Sequence, residues 1–180
     1  MSQKAYFNYF RGIAQTHSKL LHNPASETGD APMHSKRFTR FSPDEVITGL
    51  RSKLSFPALL VEPYEKIYAA ANMYDIKSNC RGAFMVLASA RQGNYKDEED
   101  AYDEAEEIVE DILQKIWADH YGENAPECST PFSRVQFANM QMIPVGPLFN
   151  NEFGWRIEFD FNTNEKIIST PPAEGVFINP

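Results

Sequence analysis

The sequence has little cysteine and no long apolar run, and each shortage excludes a class of protein. Cys80 and Cys128 are the only cysteines among 180 residues, too few for a disulfide framework, and no Cys-x-x-Cys spacing indicates zinc or redox chemistry. No apolar run approaches the roughly 18 residues needed to cross a bilayer. The first residues also lack the pattern of a secretory signal. We therefore expect a soluble protein that folds in a reducing cytoplasm and makes no membrane contact.

Basic residues are missing from one stretch of the chain. Between Asp97 and Asp111 there are ten acids and no base, whereas the rest of the chain has 15 acids and 17 bases. The formal net charge of −8 therefore arises from this single segment. An acidic chain argues against a general nucleic-acid-binding surface, because the phosphate backbone repels it.

The composition is that of an ordered globular protein. Apolar residues make up 42% of the chain, charged residues 23% and aromatic residues 13%, enough to form a core. We expect a single domain over residues 1–180. It would comprise an N-terminal helix and long loop (1–42), an α+β core (43–161) and an extended C-terminal tail (162–180).

Three segments have helical patterns. Apolar side chains recur every three or four positions over residues 3–21 and again over residues 97–118, which predicts two amphipathic helices. A shorter helix over residues 43–54 is predicted from its start signal, in which Ser42 is the cap and Glu45 lies three residues later. The acids of the second helix cluster in its first half, where the helix dipole favours them.

Four segments have strand patterns, namely residues 56–61, 78–91, 132–143 and 153–161. In the last of them, aromatic residues and Ile157 alternate with charged residues, which predicts one buried and one polar face.

The segments between these elements are assigned less regular structure. Residues 64–76 fit either a hairpin strand or a helix. Residues 23–41 and 144–152 are predicted as loops, unless part of the second extends the strand ladder. The element order predicts an α+β fold with an antiparallel or mixed sheet flanked by helices.

The acidic run lacks the spacing of a metal site. Asp97, Glu99 and Ala101 fall at the first, third and fifth positions of a calcium loop, but alanine cannot bind the ion and the required glycine is missing. We therefore interpret the acids as the solvated face of a helix, and we expect neither a metal nor a cofactor.

Nucleophilic catalysis has little support in the sequence. Cys80 begins an apolar strand, where a buried, inert thiol is expected. Cys128 and His120 are eight residues apart, and a dyad of the two remains open as the weakest alternative. No Gly-x-Ser-x-Gly, phosphate-binding glycine loop or His-Glu-x-x-His is present. We expect no enzymatic activity.

Basic residues gather in Lys36-Arg-Phe-Thr-Arg40, and residues 1–56 hold eight bases and four acids. This cluster suits phosphate binding or a protein interface. We hypothesise that, in a ring of identical subunits, it meets the acidic helix of the neighbouring subunit. The candidate interface residues are Lys36, Arg37, Arg40, Asp97, Glu98, Glu99 and Asp100.

The order of four features resembles a known family. They are Phe56-Pro-Ala58, the apolar strand Ala83–Ala90, the acidic helix Asp97–Trp117 and the aromatic alternation Trp155–Phe161. This order is similar to that of the tail terminator, or tail completion, proteins of long-tailed bacteriophages, and more distantly to neck and tail-end proteins of contractile tails. The similarity covers the element order over residues 43–161.

The resemblance implies a structural role in the virion. Proteins of this family form a ring, usually of six subunits, at the head-proximal end of the tail tube, where they end polymerisation and join the tail to the head connector. The implied partners are further copies of the chain, the tail tube protein and the head connector or neck proteins. DNA would contact the ring only by passing through it, and assembly would take place in the host cytoplasm. Whether the acidic helix lines the lumen stays open.

A second interpretation does not use the resemblance. In it, the chain is a monomeric α+β binding or adaptor protein of bacterial origin, whose acidic helix binds a basic partner.

Overall fold

The computed structural model describes residues 2–42, 54–72, 75–121, 132, 134–149 and 151–162. Within them the chain forms three α-helices and six strands. In chain order they are α1 Gln3–Thr16, α2 Ala25–Thr28, β1 Phe38–Arg40, β2 Ala58–Val61, β3 Glu65–Asn72, β4 Asp75–Ser89, α3 Tyr95–Tyr121, β5 Arg134–Leu148 and β6 Glu152–Asn162.

The strands form one mixed sheet in the order β1-β2-β4-β6-β5, and β3 also pairs with β4. The β1–β2 pair is parallel and every other pair is antiparallel. Strand β6 pairs with one edge of β4. Strands β2 and β3 both pair with the other edge of β4. The predicted α+β fold, with a mixed sheet and helices, is confirmed.

Helices α1 and α3 bury their apolar faces on the same side of the sheet. Tyr6 and Phe10 of α1 meet Phe84 of β4 and Phe161 of β6 in an aromatic cluster, in which the Tyr6 and Phe161 rings stack with their centroids 5.9 Å apart. Helix α3 contributes a fully buried aliphatic row to the same core, comprising Ala105, Ile108, Val109, Ile112 and Ile116. This row is the apolar stripe that the spacing predicted.

The long periodic elements are confirmed with small shifts at their ends. The acidic helix runs from Tyr95 to Tyr121 rather than over 97–118, and the central apolar strand begins at Asp75 rather than at 78. The ambiguous segment 64–76 forms a hairpin strand, β3, rather than a helix. In β6, Phe153, Ile157, Phe159 and Phe161 are buried as the alternation predicted.

Two predictions near the ends of elements are wrong, and the structure decides between the two alternatives of a third. Helix α1 ends at Thr16 instead of continuing to residue 21, because His17 is extended and the amide of His22 donates to the carbonyl of Ala14. Residues 38–40 are a strand and not a loop, since they pair with β2. For residues 144–152 the second alternative holds, because residues 144–148 belong to β5 and extend the ladder with β6.

Other predictions lie outside the described residues. These are the helix over 43–54, the turn region over 122–131 and the C-terminal tail beyond residue 162.

Candidate functional site

Helix α3 begins with a side-chain cap that anchors its first acids. The Asn94 side chain accepts a hydrogen bond from the amide of Lys96 at 3.2 Å and donates one to the carboxylate of Asp97 at 2.7 Å. Asp97 also pairs with Arg91 at 3.4 Å. Acids in the first turn interact favourably with the unpaired amides of a helix N-terminus. The local structure therefore accounts for Asp97 and Glu98.

One side of α3 is held by basic and polar groups of the same chain. Lys19 pairs with Glu107 at 2.5 Å, and the His17 ring lies 3.2 Å from a carboxylate oxygen of Asp111. The Tyr9 hydroxyl donates to Asp119 at 3.0 Å, and burial together with that carboxylate raises the pKa of Tyr9 above its ordinary value. These contacts tie α1 and the segment after it to the acidic helix.

The other side of α3 carries a row of side chains that is acidic at its start and aromatic at its end. Positions 99, 103, 106, 110, 117 and 121 follow the three- and four-residue steps of one helix face. The first four are acids, of which Glu99, Asp103 and Glu110 are exposed. The last two are Trp117, 55% exposed, and Tyr121, 49% exposed. We call this the outer stripe: Glu99, Asp103, Glu106, Glu110, Trp117 and Tyr121.

The aromatic end of the outer stripe forms one wall of a groove of about 640 Å³. The opposite wall is the first part of β5, from Val135 to Asn139. Tyr121 is fixed in place because its hydroxyl donates to the carbonyl of Val135 at 3.1 Å, and its ring lies 5.9 Å from that of Phe137. We call this feature the aromatic groove.

His120 lies beside the same groove in a structural position. Its Nε2 accepts a hydrogen bond from the amide of Val135 at 3.3 Å, and burial lowers the pKa of the imidazole below its ordinary value. Cys128, its partner in the dyad hypothesis, lies outside the described residues. Cys80 is buried in the core, 1% exposed, as its strand position predicted.

The predicted basic residues lie on and beside the edge strand β1. Arg37 donates from Nη1 to the carbonyl of Lys19 at 2.7 Å, and the exposed Arg40 holds its guanidinium 4.4 Å from the centroid of the Phe7 ring. Lys36 is half-buried at the start of the strand. Within the described residues, no ion pair joins these three side chains to the acids of α3.

The four predicted acids lie in the first two turns of α3. Asp97 is engaged locally, and of Asp97, Glu98, Glu99 and Asp100 only Glu99 belongs to the outer stripe. The structure thus places the basic and acidic candidates in separate regions of one subunit. The later members of the stripe could have been found from the helical spacing of the sequence.

A buried histidine holds the basic segment in place, and the sequence gives no sign of this role. The His22 side chain has no exposed surface, and its Nε2 lies 2.9 Å from Glu27. Its Nδ1 accepts a hydrogen bond from the amide of Arg37 at 3.2 Å. Since Nδ1 accepts, the ring proton is on Nε2 and is donated to the Glu27 carboxylate.

Glu27 completes that arrangement. Arg11 donates to both of its oxygens, at 2.7 and 3.0 Å. Burial raises the pKa of the Glu27 carboxyl, but the hydrogen bonds from Arg11 and His22 and the charge of Arg11 outweigh it, and the pKa lies below its ordinary value. The segment between α1 and β1 is therefore more ordered than the predicted loop.

A second polar feature lies on the sheet face opposite α1 and α3. Arg156 of β6 donates to both oxygens of Glu62, at 2.6 and 2.9 Å, and also pairs with Glu158. The hydrogen bonds to Glu62 raise the pKa of Arg156 above its ordinary value although burial opposes the shift. The strand alternation predicted that Arg156 and Glu158 point away from the core, but it could not identify Glu62, which is distant in sequence.

That network borders a polar cavity of about 250 Å³ where the chain crosses from β2 to β3. Arg81, paired with Asp160 at 3.2 Å, lines the same cavity. Within the described parts of the chain, no three histidine, cysteine, aspartate or glutamate side chains are placed to hold a metal ion.

Comparison with known proteins gives no assignment. No protein-family model matches the chain, and a search of curated proteins finds no match either. Among the described residues, no helix is both long and apolar enough to span a membrane.

Proposed function

We propose that this chain is a structural virion protein that assembles head-to-tail with copies of itself into a ring at the head-proximal end of a phage tail tube. In this role it ends tail polymerisation and joins the tail to the head connector, without enzymatic activity. The ring would consist of six subunits and would carry DNA only through its lumen. The proposal combines the family resemblance of the sequence with the distribution of charge across the sheet.

The observation that carries the proposal is the opposite charge of the two sides of the molecule. Residues 2–42, which include β1 at one edge of the sheet, hold six bases and two acids. Helix α3, which packs over β4 and β6 towards the other edge, holds eleven acids and two bases. A ring needs two different, complementary patches on each subunit, and this arrangement supplies them.

The two charged patches also lie at the same level along the strands. One row of paired residues crosses the sheet from Phe38 in β1 through Leu59 and Val86 to Trp155 in β6. Trp155 donates its indole N–H to the carbonyl of Tyr102 in α3 at 3.1 Å. Tyr102 lies between Glu99 and Asp103 in the sequence, so the acids of the outer stripe lie near the end of this row. A second copy, displaced across the strands along the row, would bring its β1 against these acids of the first copy.

Both patches must be accessible for such a contact. Among the described strands, β1 pairs only with β2, and its outer edge carries the exposed Arg40. Glu99, Asp103 and Glu110 are exposed on the far side of the sheet. Contacts of this kind between exposed charges weaken as salt is added, since the Debye length falls from about 10 Å at 0.1 M to about 3 Å at 1 M.

Native mass spectrometry of the chain, alone and with tail tubes, tests the proposal. We expect closed oligomers whose abundance falls as salt rises, and a variant with Lys36→Gln and Arg40→Gln should lose them. Arg91→Gln with Lys96→Gln, which removes the same number of exposed bases outside residues 2–42, serves as the control. A chain that remains monomeric in solution and on tail tubes would overturn the proposal.

The exposed acids of the outer stripe also suit the second interpretation, a monomeric binding protein that takes a basic partner. The same native mass measurement separates the two functions. A monomer that binds one copy of a basic protein through Glu99 and Asp103 would favour the second.

A further inference from the structure

Strand β5 has an open outer edge that carries no charge. Among the described strands it pairs only with β6, which leaves its other edge open there. From Val135 to Asn151 the chain has no charged side chain, and this is its longest stretch without one. Natural proteins protect open edges with charged side chains, because an open edge can pair with a strand of another molecule. We therefore expect this edge to be covered when the protein is assembled.

The part of β5 that suits such pairing is Gln141–Val145. These five residues pair with β6 without a break, whereas the register shifts on either side of them. Within them Met142 is 36% exposed and Pro144 is exposed as well. A proline in an edge strand lies with its nitrogen towards solvent, and backbone groups alternate in direction along a strand. The amide of Met142, two residues earlier, therefore faces the open edge too.

Strand β1 is the open edge at the other side of the described sheet. The carbonyl of Arg37 accepts a hydrogen bond from β2 at 2.9 Å, and the amide of Phe41 donates one to β2 at 3.0 Å. Because backbone groups alternate in direction along a strand, those of Phe38 and Arg40 point away from β2. An added strand can therefore pair with both residues.

The strand directions favour a pair between β1 and β5 of two copies. Strands β1 and β2 are parallel, and each later step across the sheet, through β4, β6 and β5, reverses the direction. Strand β1 therefore runs antiparallel to β5. A second copy displaced across the strands keeps the orientation of the first, so its β1 would meet β5 as an antiparallel strand, which is the slightly more stable pairing.

The register of the sheet places β1 level with the regular part of β5. One row of paired residues crosses the whole sheet at this level, comprising Thr39, Leu60, Met85, Arg156 and Ile143. A neighbour displaced along this row would bring its Thr39 opposite Ile143, the middle residue of Gln141–Val145.

The same displacement brings unlike charges together. Arg40 lies on the helix side of the sheet, since its guanidinium is 4.4 Å from the centroid of the Phe7 ring in α1. The outer stripe of α3 overlooks β5, because Tyr121 at its end donates to the carbonyl of Val135 in β5. A neighbour whose β1 lies beside β5 would therefore direct its Arg40 towards the acids of the outer stripe.

The charges also lie at the same level. Helix α3 is tied to β6 at Trp155, near the start of the helix, and its last residue is tied to the row of Phe161. The row that contains Arg40 crosses β6 at Ile157, between these two points. Arg40 of the neighbour would thus lie level with the middle of the helix, where the outer stripe is acidic.

We infer that neighbouring copies join by strand addition, in which β1 of one copy pairs antiparallel with Gln141–Val145 of the next and makes the sheet continuous from subunit to subunit. Backbone hydrogen bonds hold the two strands together. The contact of Arg40 with the outer stripe selects a second copy as the occupant of the edge and sets its direction. The inference rests on the head-to-tail assembly proposed above and names the surface that carries it.

Disulfide mapping between two proteins tests the inference. Both proteins carry Cys128→Ser, which leaves the buried Cys80 as the only native thiol. One of them also carries Thr39→Cys and the other Ile143→Cys, so that a disulfide between these positions joins two chains. Mixed in equal amounts, assembled on tail tubes and mildly oxidised, the proteins should form this disulfide, because residues of one row point to the same face of a sheet.

Met142 provides the matched control for that experiment. Its side chain points to the opposite face of β5 from that of Ile143, since successive residues of a strand alternate. Met142→Cys in place of Ile143→Cys should therefore react with position 39 at least tenfold less. Cysteines at positions 141 and 145, which share the face of Ile143, show whether the register is shifted by two residues.

A proline substitution provides a second readout. Since the amide of Met142 faces the open edge, Met142→Pro removes a donor for the added strand and none of the hydrogen bonds to β6. We expect it to weaken assembly by at least tenfold. Met142→Ala, which shortens the side chain and keeps the amide, should assemble as the unmodified protein does. Thermal unfolding verifies that both variants are folded, and should Met142→Pro fail to fold, the disulfide result decides alone.

The outcomes separate the inference from the proposed function. A disulfide from position 39 to 143, or to 141 or 145 alone, supports strand addition. Oligomers in which position 39 reacts with none of these three, or reacts equally with 142, would overturn the inference and leave the ring intact. A chain that never oligomerises, even on tail tubes, would overturn both.

Discussion

The guanidinium of Arg156 donates to both oxygens of Glu62, at 2.6 and 2.9 Å, on the sheet face opposite α1 and α3. The Glu62 side chain is 10% exposed and that of Arg156 is 25% exposed. A carboxylate with so little access to water needs its partner, because an unpaired buried charge is strongly unfavourable. The pair links the end of β2 to β6 across the width of β4.

Removal of Arg156 should therefore destabilise the fold. We expect Arg156→Met to lower the free energy of unfolding by about 1–3 kcal/mol, somewhat less than for a fully buried pair because the guanidinium is partly exposed. The double variant Arg156→Met with Glu62→Gln should recover much of the loss, since the nearly buried carboxylate is then gone and Glu158, the other partner of Arg156, is 32% exposed and keeps access to water. Urea unfolding followed by circular dichroism measures both. If the double variant were less stable than the single one, the charge of Glu62 would not be the cause.

Gly154 in β6 has no room for a side chain. A Cβ at Gly154 would lie 1.9 Å from the carbonyl oxygen of Val86, which is backbone and cannot move aside. We expect Gly154→Ala to lower the free energy of unfolding by about 3 kcal/mol or more, as overpacking does at its upper range.

Gly12 is the matched control for that substitution. It lies inside α1, and a Cβ there would meet nothing within 4 Å. Gly12→Ala should raise the free energy of unfolding by about 0.5–1 kcal/mol, because alanine favours the helix. Equal effects of the two substitutions in chemical denaturation would contradict the packing at Gly154.

The stability of the fold should depend on pH through His120. Burial lowers its pKa in the folded state below the ordinary value of 6.5. The unfolded chain therefore binds the proton at a higher pH than the folded chain does. The contribution of His120 is fully present above pH 6.5 and is lost as the pH falls from there through the lower, folded-state pKa.

His120→Gln isolates that contribution, since glutamine can accept the amide hydrogen bond of Val135 without titrating. The urea midpoint of the unmodified protein should fall more steeply between pH 7 and pH 5 than that of the variant. Parallel slopes for the His120 variant and the unmodified protein would rule out this linkage.

The sequence predicted the elements that have a long repeating pattern of apolar residues. The stripe of α3 and the alternation of β6 are strong because each repeats over many residues, and both elements are confirmed. Strand β1 has only three residues and depends on β2, twenty positions further along the chain. No local signal marks such a pairing, so residues 38–40 were predicted as loop.

In the candidate site, too, local features could be predicted, whereas contacts between residues distant in sequence could not. The positions of Lys36, Arg40 and Glu99 on the surface could be predicted from charge clustering, and their roles remain predictions. The burial of His22 could not, because it arises from Glu27 and the amide of Arg37, which the fold brings around one ring. The polar residues on one face of a strand can be predicted from the sequence, whereas their partners on other strands cannot.

A charge-exchange experiment tests head-to-tail assembly most directly. One variant carries Lys36→Glu and Arg40→Glu and makes the β1 side acidic, and the other carries Glu99→Lys and Asp103→Lys and makes the outer stripe basic. Each contact between identical variant copies then opposes like charges, whereas alternating copies again oppose unlike charges. Native mass spectrometry should find each variant alone as a monomer and an equimolar mixture as closed oligomers with equal numbers of the two. Assembly of either variant alone at the level of the unmodified protein, or a mixture that stays monomeric, would contradict the account.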